Sequence, residues 1–296
     1  MVSGSLARAY AACTSLAANH YENFPVASRL LPARMRPHVA AVYAFARVAD
    51  DMADEGSDAP EVRRARLRAW QQRLHDAAQA PRAATSNTSR DDLIFIALGH
   101  SMRELDLPMP LFDDLLSAFA QDTTMHRYDS WSELFDYCRR SANPIGRLVL
   151  RIGGYRDDRM DQSSDALCTA LQLANFWQDF GRDWRAGRLY VPREAQALAG
   201  AALEDLEAGH LTPAWADALA HCIARTRRSF DEGRLVCDGV RGRLQIELRF
   251  TWLGGSRMLD LLDRQRASLL TTRPRLGARD VPSLVWKAAR WRRVAA

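Results

Sequence analysis

The chain of 296 residues is 47% hydrophobic and 26% charged, which excludes a disordered polymer and is typical of a globular protein. No apolar run approaches the roughly 20 residues that a membrane-spanning helix needs, and the N-terminus lacks a charged-then-apolar signal sequence, so we expect a cytoplasmic protein. Five dispersed cysteines without a C-x-x-C pair predict reduced core thiols, and no nucleotide-binding loop or hydrolase elbow is present.

Apolar residues recur at helical spacing along nearly the whole chain, and no segment alternates as a strand would. Prolines and glycines predict where the helices begin and end. The predicted helices run from Pro37 to Gly56, from Pro60 to residue 79, on either side of Pro108 and Pro110, and over 130–152, 163–185, 213–237 and 241–270, with a polar loop at 80–90. Because the connections are too short for a second domain, the sequence predicts one all-α domain over residues 1–296.

The helix that begins at Pro37 runs into carboxylates in the stretch YAFARVADDMADEG. Asp50 and Asp54 are four residues apart and therefore lie one helical turn apart, and Tyr43 and Arg47 extend the same stripe. Two ionised carboxylates at this spacing repel each other by a few tenths of a kcal/mol when exposed, and by far more when buried without a partner. One interpretation is a charged helix end in which Arg47 pairs with an aspartate, and the other is a metal site.

A second acidic row follows in QLANFWQDFGRDWRAGRLYVP. Gln172, Asn175, Asp179 and Asp183 form a polar stripe beside a stripe of large apolar and aromatic residues. Two D-x-x-x-D elements on otherwise apolar helices suggest carboxylates that face each other across a bundle interior, where they need cations. Because neither stripe contains His or Cys, the hard oxygen ligands predict Mg²⁺.

Mg²⁺ in proteins keeps several waters and usually bridges carboxylates to substrate phosphates. The natural interpretation is a diphosphate held by Mg²⁺ between two acidic helices, with arginines binding the remaining phosphate oxygens. The arginines nearest in sequence are Arg47, Arg182, Arg185 and Arg188. In an otherwise apolar and aromatic cavity, such a site would assist departure of diphosphate and stabilise a carbocation.

Three segments, YAFARVADDMAD, YCRRSANPIGRL and LQLANFWQDFGRDWRAGRLYVP, resemble in this order the signature regions of the squalene/phytoene synthase family. The resemblance extends from about residue 15 to residue 270. It implies an all-α isoprenoid (terpenoid) synthase bundle with a central cavity, in which Mg²⁺ assists ionisation of a prenyl diphosphate substrate.

The same resemblance implies roles for individual residues. By motif position, Asp50 and Asp54 form a first metal-binding pair, and Asn175, Asp179 and Asp183 form a second metal-binding set. The four aspartates, together with Tyr43, Arg47 and Tyr137, are the expected catalytic residues. The residues expected to line or close the diphosphate site are Tyr43, Arg47, Tyr137, Gln172, Arg188 and Tyr190.

One stretch near the N-terminus departs from the common family pattern. Family members commonly carry a serine–basic–serine sequence before a phenylalanine, whereas here Tyr21, Glu22 and Asn23 precede Phe24. The stretch ENFPVASRLLP is instead similar to the hopanoid-pathway subgroup, hydroxysqualene synthase. We expect Glu22, Asn23 and Phe24 to bind substrate, and Glu22 or Asn23 to position the water that traps the cation. The alternative for Glu22 is an exposed glutamate at a helix start.

This subgroup resemblance implies a carbon–oxygen lyase of squalene and hopanoid biosynthesis. Its members ionise presqualene diphosphate, open the cyclopropane and let water trap the cation, without a reductant. The alternative is a head-to-head prenyltransferase that converts farnesyl diphosphate to presqualene diphosphate or squalene, or makes phytoene. A non-catalytic helical partner protein is disfavoured because both aspartate pairs are complete.

Basic charge is concentrated at the C-terminus. From Arg273 to Ala296 seven basic residues accompany one acid, for a net charge of +6, while the whole chain carries +5. In this tail Leu284, Ala288 and Trp291 fall on one helical face, which suits either an anionic membrane or a solvated helix. Nucleic acid is disfavoured because no recognition motif is present. Peripheral contact with the inner membrane face is the first of the two alternatives, and pathway enzymes are further expected partners.

Overall fold

The computed structural model describes residues 2–19, 30–56, 58–81, 84–85 and 87–292. Within these ranges the chain is all-α, as predicted, with no strand and one isolated bridge between Arg127 and Leu189. The helices are α1 (Val2–Asn19), α2 (Arg36–Asp54), α3 (Pro60–Gln79), α4 (Arg90–Leu105), α5 (Met109–Asp122), α6 (Trp131–Ser141), α7 (Asn143–Gly153), α8 (Asp158–Gln178), α9 (Phe180–Arg185), α10 (Arg193–Ala199), α11 (Leu203–Glu207), α12 (Pro213–Glu232), α13 (Val236–Gly239), α14 (Gly242–Gln265) and α15 (Val281–Ala289), with a 3-10 helix at Arg266–Ser268. Among these described residues, none of the helices combines the length and the apolar character needed to cross a membrane.

Two of the four longest predicted helices are interrupted in the structure, and the other two end early. The helix predicted over 130–152 is divided into α6 and α7. The reason is that Pro144 has no N–H for a helical hydrogen bond and its ring crowds the preceding turn. The prediction over 163–185 is divided between α8 and α9 at Asp179. The helices predicted over 213–237 and 241–270 end earlier, with α12 at Glu232 and α14 at Gln265.

The chain falls into two compact units. The first comprises Met1–Thr124 with Pro144–Asp157, and the second comprises Met125–Asn143 with Asp158–Ala296. The carboxylates of α2 therefore belong to the first unit, whereas those of α8 and α9 belong to the second. A single domain over the whole chain stays a prediction.

An aromatic core fixes α2 in the first unit. The ring of Phe45, fully buried on α2, stacks on Trp70 of α3 with centroids 5.9 Å apart. Phe95 of α4 lies 4.4 Å from Trp70, and Phe112 of α5 meets Phe45 edge-on at 5.7 Å. Because four helices contribute to this cluster, the helix that carries the first aspartate pair has a fixed rotation about its axis.

The second unit is organised around α8. Trp177 is fully buried and donates its ring N–H to Thr226 of α12 at 2.8 Å, which satisfies the polar atom of a large core side chain. Leu173, one turn earlier, is equally buried. The apolar stripe predicted beside the acidic row is therefore a core stripe, and it orients that row.

None of the five cysteines is in a disulfide, and Cys13, Cys138, Cys222 and Cys237 are buried. Burial raises the pKa of the Cys13 thiol to about 12, so this thiol is protonated at neutral pH. The prediction of core thiols is confirmed for these four, whereas Cys168 is only half-buried.

A polar network joins α1, α2 and α4 in the first unit. The hydroxyl of Tyr10 lies 2.9 Å from Nδ1 of His100, 2.9 Å from Oγ of Ser101 and 3.2 Å from Nδ1 of His38. Nδ1 of His38 is also 2.9 Å from Oγ of Ser101. Burial lowers the pKa of His38, and the neighbouring His100 lowers this pKa further. The network is therefore built for a neutral imidazole at His38.

We expect the free energy of unfolding to fall as pH falls below the ordinary histidine pKa of 6.5. The reason is that the unfolded chain takes up the proton first, and stability is lost until the lowered pKa of folded His38 is reached. Urea unfolding at pH 7.5 and pH 5.5 measures this difference. In His38→Asn, which keeps a polar atom near the Nδ1 position, the difference should shrink; an unchanged difference would assign the effect to other groups.

Candidate functional site

The last turn of α2 carries three aspartates, Asp50, Asp51 and Asp54, where the helix end already has a partial negative charge. Arg47 offsets this charge: Nη2 lies 2.5 Å from Oδ1 of Asp51, and Nη1 lies 3.5 Å from Oδ2 of Asp50. The expected pairing of Arg47 with an aspartate is present, but its closest partner, Asp51, is outside the predicted pair. Asp54 is exposed and Asp50 is partly exposed, so both carboxylates are accessible from solvent; Tyr43 of the same stripe is half-buried.

The second acidic row lies along α8 and α9. At the break between these helices, the N–H of Asp179 donates to the carbonyl of Asn175, and the N–H of Asp183 donates to the carbonyl of Asp179, each at 2.8 Å. Because both bonds keep the four-residue helical step, the three side chains remain one turn apart. Asp179 is only 6% exposed, whereas Gln172, Asn175 and Asp183 are half-buried.

A distant arginine binds the buried carboxylate. Nε of Arg273 donates to Oδ1 of Asp179, and Nη2 donates to Oδ2 at 3.2 Å, so the guanidinium and carboxylate meet as two parallel hydrogen bonds. The hydrogen bond to Asp179 raises the pKa of Arg273. Arg182, which sequence proximity favoured, is exposed and reaches Asp179 only at 4.0 Å. No local pattern identifies Arg273, because 94 residues separate it from its partner.

Hydrogen bonds hold the segment that carries Arg273 against α8 and α9, one before Arg273 in the chain and one after it. Nε2 of Gln178 donates to the carbonyl of Pro274 at 2.7 Å, and Nη1 of Arg185 donates to the carbonyl of Leu270 at 3.1 Å. Gly181 lies directly under Leu270, where a Cβ atom would overlap the carbonyl oxygen. Arg185, predicted to neutralise phosphate, therefore also holds this C-terminal segment in place.

An aromatic cluster contains two of the predicted site residues. The rings of Phe176 and Tyr190 stack with centroids 3.7 Å apart, and Tyr137 lies 6.1 Å from Phe176 and 6.4 Å from Tyr190. Tyr128, fully buried, also stacks on Tyr190, with ring centroids 5.9 Å apart. Tyr128 was not predicted from the sequence, because it lies in an irregular segment that has no helical periodicity.

Backbone pairing positions the residues that follow α9. The N–H of Leu189 donates to the carbonyl of His126 at 2.9 Å, which holds residue 190 beside residue 128. The N–H of Arg188 donates to the carbonyl of Asp183 at 2.8 Å. The backbone of this half-buried arginine therefore lies about one turn beyond the last residue of the acidic row. A short extended segment thus places Arg188 and Tyr190 at the end of α9.

The donor atoms of the predicted metal ligands can be compared with what a metal ion requires. In the part of the chain that the structure describes, no group of three or more His, Cys, Asp and Glu side chains is placed to hold a metal ion. The row in the second unit offers two carboxylates and one amide oxygen, a sparse set of hard donors. Such a set fits Mg²⁺, which completes its shell with water and substrate phosphate. Arg273 shows that the Asp179 carboxylate accepts a cation.

Three predicted residues, Glu22, Asn23 and Phe24, belong to residues 20–29 and lie outside the residues that the structure describes. Their roles in substrate binding and in positioning water stay predictions. Within the second unit, the predicted residues separate into the acidic row and the aromatic cluster, and Asn175 and Phe176 link them as neighbours on α8.

Comparison with known proteins identifies similar chains. The model of the family described as squalene/phytoene synthase matches residues 17–280, which include both carboxylate sets. The chain is 34% identical to hydroxysqualene synthase of Rhodopseudomonas palustris, over 81% of this chain and 79% of that protein. It is 37% identical to hydroxysqualene synthase of Zymomonas mobilis, over 70% and 66% respectively. A solved structure, squalene synthase HpnC from Alicyclobacillus acidocaldarius, is similar with a TM-score of 0.79 and 40% identity, covering 88% of this chain and 95% of that one.

Proposed function

Because this chain belongs to the squalene/phytoene synthase family, we propose that it is a Mg²⁺-dependent hydroxysqualene synthase acting on presqualene diphosphate. The reaction breaks the carbon–oxygen bond to diphosphate and opens the cyclopropane. Water then adds its oxygen to the cation and loses a proton, so hydroxysqualene and diphosphate are the products and no reductant is consumed. The site observation that carries the proposal is the buried carboxylate of Asp179, one turn from Asn175 and from Asp183.

The oxygen-bearing residues are assigned to the metal. Asn175, Asp179 and Asp183 of the second unit, and Asp50 and Asp54 of the first, would hold Mg²⁺. When bound, Mg²⁺ supplies positive charge that stabilises the departing diphosphate. The burial of Asp179 strengthens its attraction for any cation, because few waters screen the carboxylate.

Arginines would bind the phosphate oxygens that Mg²⁺ does not contact. Arg273 already presents its guanidinium fork to the two oxygens of a carboxylate, and a phosphate group offers a similar pair of acceptors. Arg47 in the first unit and Arg188 after α9 carry the same role by motif position. We therefore add Arg273 to the arginines that sequence proximity suggested.

The aromatic cluster suits a cationic intermediate. Tyr137, Phe176 and Tyr190 are buried, and aromatic rings attract a cation more strongly where water is excluded. Buried apolar surroundings also keep stray water from trapping the cation before the cyclopropane opens. These three residues and Tyr128 are proposed to surround and stabilise the carbocation. Gln172 on the acidic row is proposed to bind the diphosphate.

Head-to-head condensation of prenyl diphosphates is the second candidate. One observation favours it: the solved relative with 40% identity is named a squalene synthase. Both candidates use the acidic rows in the same way, because each begins with loss of a diphosphate group from an allylic or cyclopropylcarbinyl carbon. They differ in whether farnesyl diphosphate or presqualene diphosphate is consumed.

Incubation of the purified protein with presqualene diphosphate and Mg²⁺, without NADPH, separates the two. We expect mass analysis to find hydroxysqualene, and in water enriched in ¹⁸O the product should carry the heavy oxygen. A parallel reaction with EDTA in place of Mg²⁺ should leave the substrate intact. If presqualene diphosphate stays intact with Mg²⁺ while farnesyl diphosphate is consumed, the second candidate replaces the first.

A further inference from the structure

The last described helix, α15, is fastened to the second unit by one of its faces. The ring N–H of Trp291, just after α15, donates to Oδ1 of Asp238 at 2.9 Å, and the ring meets Trp252 of α14 edge-on at 5.4 Å. Leu284 and Ala288 of the same face are half-buried. The face that the sequence analysis suggested for a membrane therefore packs against the protein itself.

The start of α15 is equally well fixed. Asp280, which precedes the helix, accepts a hydrogen bond from Nε of Arg257 at 2.8 Å and another from the N–H of Gly277 at 2.9 Å. With Asp280 at one end and Trp291 at the other, the rotation of α15 about its axis is set. Which side chains it presents to solvent is therefore a defined property of the fold.

An adjoining face of α15 is apolar and exposed. Three large apolar side chains of this nine-residue helix are at least half exposed: Val281 at 53%, Val285 at 50% and Trp286 at 56%. At 100° per residue these three span an arc of about 140° that also includes Pro282. Large apolar side chains grouped this closely on a surface are typical of a binding face.

Basic side chains border this apolar arc. Lys287 and Arg290 follow it around the helix, and the guanidinium carbon of Arg290 lies 4.6 Å from the centroid of the Trp286 ring. Arg275 and Arg279 are exposed on the approach to α15. The only acid from residue 271 to residue 292 is Asp280, and its carboxylate is engaged by Arg257.

We propose that this α15 surface, formed by Val281, Val285, Trp286, Lys287 and Arg290, binds the surface of an anionic lipid bilayer. The charge is complementary to acidic headgroups, and tryptophan beside a basic residue is characteristic of the membrane interface. A nine-residue helix lies on a bilayer and does not cross it. A second copy of the chain is the poorer occupant, because two such positive faces repel each other.

The binding is tested by co-sedimentation of the full chain with vesicles. We expect binding to vesicles of phosphatidylcholine with 30% phosphatidylglycerol, and little binding to phosphatidylcholine alone. The double variant Val285→Ser/Trp286→Ser should bind the anionic vesicles at least about tenfold more weakly, because binding scales with the apolar area that enters the interface. Lys287→Gln/Arg290→Gln should weaken binding by about fivefold for each charge removed.

Leu198→Ser is the matched control, because it removes a leucine that is 74% exposed on α10 and is not part of the α15 surface. This variant should bind vesicles as the unaltered chain does, and all variants should keep the same thermal unfolding, since the altered side chains are exposed. Equal vesicle binding by the Val285→Ser/Trp286→Ser variant, or equal binding to neutral and anionic vesicles, would overturn the proposal. A dimer that this variant abolishes, without vesicle binding, would assign the surface to a second copy instead. The outcome does not depend on which diphosphate the enzyme consumes.

Discussion

Replacing Asp179 with asparagine is expected to lower turnover of presqualene diphosphate by about 10²–10³-fold in a protein that still folds. The asparagine has nearly the same shape but lacks the negative charge, so the acidic row loses its one buried anion. Its side-chain oxygen still accepts a hydrogen bond from Arg273, so the C-terminal segment keeps its position. Initial rates at saturating Mg²⁺, together with thermal unfolding monitored by circular dichroism, separate catalysis from folding.

Asp217→Asn is the matched control for this prediction. It makes the same chemical change on α12, in the same unit, at an exposed position. Turnover by the control should equal that of the unaltered enzyme. The role assigned to Asp179 is wrong if Asp179→Asn turns over at the control rate, or if its loss of rate is matched by loss of folded protein.

Periodicity was enough to predict the helical spacing within each carboxylate set, because that spacing is a local property of the chain. The four-residue step from Asp50 to Asp54 needs only a continuous α2, and Pro37 marks where that helix begins. The step from Asp179 to Asp183 was also predictable, even though α8 ends at Gln178, because the backbone bonds carry the helical spacing across the break.

The cation that meets Asp179 was not predictable, because Arg273 is brought there by tertiary contacts. These contacts are backbone carbonyls of Leu270 and Pro274, which accept from Arg185 and Gln178. Every residue has a backbone carbonyl, so no sequence pattern predicts which carbonyl accepts such a hydrogen bond. Sequence proximity instead favoured exposed arginines such as Arg182.

The C-terminal helix shows a different limit. Two adjoining faces of α15 are apolar: Leu284 and Ala288 lie on one, and Val281, Val285 and Trp286 lie on the other. Periodicity detects the amphipathic spacing but cannot say which apolar face packs on the protein. That choice depends on partners in other helices, such as the hydrogen-bond acceptor for the Trp291 ring, and these become visible only in the fold.

Gly181→Ala is expected to destabilise the protein by about 1–3 kcal/mol, since the added methyl group forces apart two closely packed backbones. The new Cβ would overlap the carbonyl of Leu270, and backbone cannot rotate away as a side chain can. Displacement of that carbonyl removes the acceptor of Arg185 and draws Arg273 away from Asp179. We therefore expect turnover to fall together with the urea midpoint.

Gly254→Ala in α14 separates this steric effect from the general effect of removing a helical glycine. A Cβ at residue 254 would meet only the Leu276 Cδ1 atom, at 3.8 Å, so the substitution is expected to stabilise the protein by about 0.5–1 kcal/mol. Alanine favours a helix at both positions, so the difference between the two variants measures the cost of overlap alone. If Gly181→Ala proves as stable as Gly254→Ala, the segment that carries Arg273 is not held against α9, and the contact between Asp179 and Arg273 needs another cause.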